Sequence, residues 1–158
     1  MRLLCVVLLS LCLCSCKSSP RAAGGRGDLF RATGMRVHPI FTGAKDWTND
    51  GSPDGIEALV ELTDQFGDPI KASGQVVFEL FQFRRYNADP RGQPLQTWTM
   101  SIRTLKEQRE HWRRIGSAYA FQLPFPQIDS YSSSVLSAEV TLDNGGRLRD
   151  QIVLQRRD

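Results

Sequence analysis

From Ile56 onward the chain alternates apolar and polar positions. "IEALVELT" sets Ile56, Ala58, Val60 and Leu62 against Glu57, Leu59, Glu61 and Thr63. A period of two predicts a β-strand with one buried face. Ile56, Leu59, Val60 and Thr63 also fit helical spacing, but "QFGDP" follows at once as a turn signal, so the strand is preferred. "GQVVFELFQFR" predicts a longer strand, with Val76, Phe78 and Leu80 on one face and Val77, Glu79, Phe81 and Phe83 on the other. Both faces are largely apolar, which predicts a central strand covered on both sides, or a second face under a loop. "QTWTMSIR" places Trp98, Met100 and Ile102 inward, and "SAYAFQL" places Tyr119, Phe121 and Leu123 together. "VLSAEVTL" and "RLRDQIVL" flank Asp143-Asn144-Gly145-Gly146. Asn-Gly between two alternating runs predicts a hairpin.

Other stretches carry weaker signals. "MRVHPIF" predicts a short first strand with Met35 and Val37 on one side. Pro39 has no N–H to give to a ladder, so that strand belongs at an edge. "RRYNADPRGQP", residues 84–94, reads as a long polar loop. "TLKEQREHWRR" predicts a short helix opened by a capping box of Thr104 and Glu107, with Leu105 and Trp112 on one face. The sum is about seven short strands and one helix. That predicts an all-β fold: a single antiparallel β-sandwich, Ig-like or transthyretin-like in outline, with a partly open barrel as the alternative.

The N-terminus follows a different pattern. Arg2 precedes an apolar run from Leu3 to Leu13 broken only by Ser10. About eleven residues suit a secretory signal and fall short of the roughly twenty of a membrane-spanning helix. The run ends in Leu13-Cys14-Ser15-Cys16. This stretch resembles the lipobox of bacterial lipoproteins, with Leu three before the acceptor cysteine and Ser one before it. The resemblance implies removal of residues 1–15. It also implies a diacylglyceryl thioether on Cys16 and an acyl chain such as palmitate on its new amino group. Each buried methylene contributes about 0.8 kcal/mol, so several chains hold a protein stably on a bilayer. Residues 16–33 then form the lipidated N-terminus and a Gly-, Ser- and Arg-rich tether, and residues 34–158 the sandwich domain. Lys17 stands where the enteric sorting scheme uses Asp for inner-membrane retention, which implies the outer membrane of a bacterial cell envelope.

Composition narrows the class only a little. A chain of 158 residues predicts one domain. A net charge of +3 singles out neither nucleic acid nor membranes. With Cys5, Cys12 and Cys14 in the removed leader and Cys16 acylated, none of the four cysteines is left for a disulfide or a zinc site. The domain must then rest on its hydrophobic core.

One stretch carries candidate metal chemistry. "DWTNDGSPDGIE" spaces acidic residues along a glycine-containing loop. It resembles the calcium loops of EF-hands, dockerins and FG-GAP-type modules. That resemblance implies Asp46, Thr48, Asp50, Ser52, Asp54 and Glu57 as oxygen ligands for Ca2+, with Gly51 at the sharp bend. Thr48 replaces the usual Asp or Asn, Pro53 replaces an aliphatic residue, and no amphipathic helix precedes the loop, so a standard EF-hand is excluded. Two readings stay open: a shorter calcium loop, and a plain turn built from Asp-Gly and Pro-Asp-Gly. A second cluster is basic. Arg109, Trp112, Arg113 and Arg114 offer contact with an anionic surface, or simply a solvated helix face.

No nucleophile elbow, phosphate loop or dinucleotide fingerprint appears, and His38 and His111 fit no ligand spacing. The sequence therefore reads as a lipid-anchored envelope protein, a non-catalytic binding or scaffolding module, and not as an enzyme. Its partners are the bilayer through Cys16 and an envelope protein or cell-wall polymer, with no nucleic acid. The alternatives are a calcium-dependent adhesion or carbohydrate-binding module and, next, an enzyme or an enzyme's accessory subunit.

Overall fold

The computed structural model describes residues 30–130 and 133–155. The leader, Cys16 and the tether as far as residue 29 lie outside the described residues. Nine strands and one helix follow: β1 (Gly34–Val37), β2 (Gly43–Lys45), β3 (Gly55–Thr63), β4 (Gly74–Phe83), β5 (Arg91–Ser101), α1 (Leu105–His111), β6 (Trp112–Arg113), β7 (Ala118–Pro124), β8 (Ser133–Leu142) and β9 (Arg147–Gln155). A 3₁₀ turn at Pro126–Ser130 precedes β8. One sheet runs β1-β3-β7-β6, with β2 also paired to β3; the other runs β5-β4-β8-β9. All pairings are antiparallel. The expected all-β sandwich is observed, and the sheets form no closed barrel.

The alternating positions meet between the sheets. Ile56, Ala58, Val60 and Leu62 of β3 and Tyr119, Phe121 and Leu123 of β7 are buried. They face Val76, Phe78 and Leu80 of β4 and Leu136, Ala138, Val140 and Leu142 of β8. Phe78 and Phe121 touch across the layers, ring centroids 5.1 Å apart. The cluster extends from Ala32 to Leu154, and each fully buried large side chain in it stabilises by about 1.5–3 kcal/mol. β4 lies between β5 and β8, but its second face is only partly covered: Val77, Phe81 and Phe83 are half-buried and Glu79 is exposed. Gly55 is required by close approach: a Cβ there would stand 2.2 Å from the Leu123 carbonyl oxygen.

Four local expectations are corrected. The first strand ends at Val37 rather than running to Phe41, because residues 38–42 turn out of the ladder. Thr42 N–H donates to the His38 carbonyl, 2.9 Å. The polar loop after β4 is shorter than residues 84–94, since β5 begins at Arg91 and carries Pro94. β5 is an edge strand and its register shifts near Phe81, so the missing proline N–H costs no central bond. Leu105 is 77% exposed, and no helix residue is buried. Trp112 caps the helix and begins β6 instead of sharing a helix face. The capping box of Thr104 and Glu107 is formed as expected, with reciprocal bonds of 3.2 and 2.8 Å.

One side chain fixes α1 to the sandwich. Gln108 Nε2 donates to the Ala72 and Ile102 carbonyls, and its Oε1 accepts from the Tyr119 hydroxyl. Burial raises the Tyr119 pKa, so the phenol remains a neutral donor. The opposite side of the sandwich is sealed by Val37 N–H, which donates to Asp150 Oδ2 of β9 at 2.8 Å.

Candidate functional site

The acidic loop joins β2 to β3 and is organised by its own carboxylates. Asp46 accepts from the Asn49 and Gly51 amides at 2.6 and 2.8 Å. Asp54 accepts from the Trp47 and Thr48 amides at 2.6 and 2.9 Å. Asp50 accepts from Ser52 N–H at 2.9 Å. The Asp50 bond is an Asx turn, and in the other four a short carboxylate likewise stands in for a missing backbone partner. The Gly51 amide holds the Asp46 carboxyl below the usual aspartate range, with Asn49, Asp50 and Thr48 adding to it. Gly51 takes φ +91°, which a side chain would strain.

Of the six residues that the calcium resemblance names, the fold brings three together. The Thr48 hydroxyl lies 3.4 Å from Asp46 Oδ1 and 3.3 Å from both Asp54 oxygens. Asp50 and Ser52 bond to each other, and Glu57 stands in β3, paired with Gly43 and Gln122. Among the described residues no three His, Cys, Asp or Glu side chains converge as metal ligands.

The basic cluster is divided. Trp112 pairs with Tyr119, and its ring packs 5.0 Å from the Tyr119 ring. Lys71 Nζ lies 4.9 Å from the centre of the same indole, a cation–π contact. Arg113 donates to the Glu110 carbonyl at 2.7 Å. Arg109, Arg113 and Arg114 are exposed. His111 is tied inward, with Nδ1 3.2 Å from the Ala120 carbonyl and its ring 4.7 Å from Phe121. A carbonyl only accepts, so Nδ1 carries the proton in that bond.

What the fold adds lies on the outer face of the β3–β7 sheet. An open groove of about 510 Å³ is lined by Phe41, Glu57, Leu59, Trp112, Arg113, Arg114, Ile115 and Ala120. Leu59 and Ala120 face each other across the ladder and form its floor. Phe41 is 65% exposed and Ile115 95%. The loop carrying Phe41 is pinned at one residue: Leu59 C=O accepts from His38 N–H and Leu59 N–H donates to Thr42 Oγ1. The turn carrying Ile115 is built on Gly116 and Ser117, both at positive φ. Next to the groove, Glu61 is engaged by Arg36 at 3.4 Å and by His38 Nε2 at 3.1 Å. A second open cleft, about 870 Å³, separates Ile40, Thr42, Lys45 and Asp46 from Ser134 and the Val153–Gln155 end of β9.

The sequence carries no functional signal at Ile40, Phe41 or Ile115, which stand in turns. Apolar residues in turns have no periodicity to reveal them. The available clue was "RRIGS", an isoleucine between arginines and a glycine turn. Compared with protein-family models, curated proteins and solved structures, the chain matches none.

Proposed function

We propose that this chain is a lipid-anchored, non-catalytic binding or scaffolding module of a bacterial cell envelope, on the outer rather than the inner membrane. The observation that carries the reading is Leu13-Cys14-Ser15-Cys16 at the end of a short apolar run. The groove with Phe41 and Ile115 supports it from the folded domain: an exposed apolar patch with a basic rim is what a binding surface requires. The test is the mass of the N-terminal peptide from envelope-fraction protein produced in a bacterial host. The expected species begins at Cys16 and carries the mass of its acyl chains, and Cys16→Ser releases the protein from the membrane fraction. A peptide beginning at Met1, or an unmodified Cys16 in membrane-held protein, overturns the reading.

A second reading, a calcium-dependent adhesion or carbohydrate-binding module, draws on the approach of Asp46 and Asp54 to one hydroxyl. A cation there competes with four backbone amides for the same oxygens. Its dissociation constant then falls at the weak extracellular end, about 10⁻³ M. Calorimetry with and without Asp54→Ala tests it, and no heat at millimolar calcium removes it.

A further inference from the structure

We propose that the two turns carrying Phe41 and Ile115 dock the domain onto an anionic lipid bilayer, with Arg113 and Arg114 against the head groups. This deepens the reading above and takes from it only the address, because the contact itself needs no acyl chain.

Two turns far apart in sequence bring large apolar side chains to one place. Ile40 and Phe41 are 69% and 65% exposed on one turn, and Ile115 is 95% exposed on the other. Phe41 and Ile115 border a single groove. The exposed area sits on the tips rather than on the floor, where Ala120 is buried and Leu59 half-buried. Projecting tips suit insertion into an acyl boundary, whereas a peptide lodged in the groove would need its binding area on the floor. The tips are also held in position. Both backbone groups of Leu59 are bonded to the His38–Thr42 turn, and β6 and β7 pair on either side of the Ile115 turn. Preorganised tips lose little conformational freedom on docking.

Charge selects the partner. Arg113 and Arg114 adjoin Ile115 in the chain and line the same groove, and guanidinium groups pair well with phosphate oxygens. Neither forms an ion pair among the described residues. Glu61 beside the groove is already engaged by Arg36 and His38. Glu57 lies in β3 near the floor, back from the tips. A second copy is the less favourable occupant. A two-fold interface would bury the Arg113 and Arg114 of both copies in one contact, while the neighbouring Glu61 of each is already engaged.

The experiment uses the chain without residues 1–15 and carrying Cys16→Ser, so that neither leader nor acyl chain contributes. The whole core lies between Ala32 and Leu154 and is retained. Flotation is compared on vesicles containing phosphatidylglycerol and on vesicles of phosphatidylcholine alone. The expected result is co-flotation with the anionic vesicles and at least about tenfold less with the neutral ones. Phe41→Glu with Ile115→Glu lowers partition at least about tenfold at an unchanged melting temperature. Arg113→Glu with Arg114→Glu does the same, and raising salt from about 0.05 to about 0.5 M weakens the parent several-fold. Equal flotation of parent and glutamate variants overturns the proposal, as does a parent that stays in solution with both vesicle types. A dimer in sedimentation velocity that the glutamate variants dissociate, without vesicle binding, overturns it in favour of a second copy. An unacylated Cys16 in the native host would remove the anchor and leave the vesicle result standing.

Discussion

The Asp46–Asp54 loop and the Arg113–Ser117 turn are both polar, exposed connections, yet they leave opposite surfaces. In the first, three carboxylates turn inward onto amides of their own loop. In the second, Ile115 is 95% exposed, and Arg114 is exposed and forms no ion pair among the described residues. The segment with the stronger motif thus has its chemistry satisfied by the fold, and the segment without one carries the free groups. A carboxylate pattern shows what a loop is able to bind, but local amides compete for it first.

The largest effect separating the two regions is expected from Asp54→Ala. It leaves the Trp47 and Thr48 amides without their acceptor and costs about 1–3 kcal/mol in urea denaturation. A loss within the surface range of about 0.5 kcal/mol would show that the carboxylates do not hold the loop, and would break the contrast. Next comes Thr42→Val, which removes the acceptor for Leu59 N–H and costs about 1–2 kcal/mol. It sharpens the contrast if vesicle binding also falls, because the Phe41 tip then depends on its anchor.

A smaller effect concerns acid. The Asp46 carboxyl is held below its ordinary range by the Gly51 amide. It therefore favours the folded state above that range, and the contribution disappears as pH falls through the folded-state value. The melting temperatures of parent and Asp46→Asn should differ most near neutrality and converge as pH falls through and below the ordinary aspartate range. A constant gap across that window would remove the assigned cause. The smallest effect is Ile115→Ala, expected within about 0.5 kcal/mol because the side chain has no packing to lose. A larger loss would mean that Ile115 is structural.

The sandwich was legible wherever burial imposed a period of two: in β3, β4, β7 and β8, and in the Asp143–Gly146 hairpin, where Gly145 takes φ +85°. It was not legible in β2 or β6, which are three and two residues long. Strands that short exist because a neighbour offers an open edge, a property of the partner and not of their own residues. Trp112 was misplaced for a similar reason. Its spacing from Leu105 fits a helix face, but pairing with Tyr119 ends the helix first. The groove was hidden more deeply, since Phe41 and Ile115 meet only after β3 and β7 are laid side by side.

The bond from Val37 to Asp150 joins residues 113 positions apart. It therefore also sets a schedule. In a chain threaded through a membrane N-terminus first, β1 emerges early and its latch arrives with the last strand. The seam cannot close until nearly all of the domain is out, and such distant contacts are slow to form.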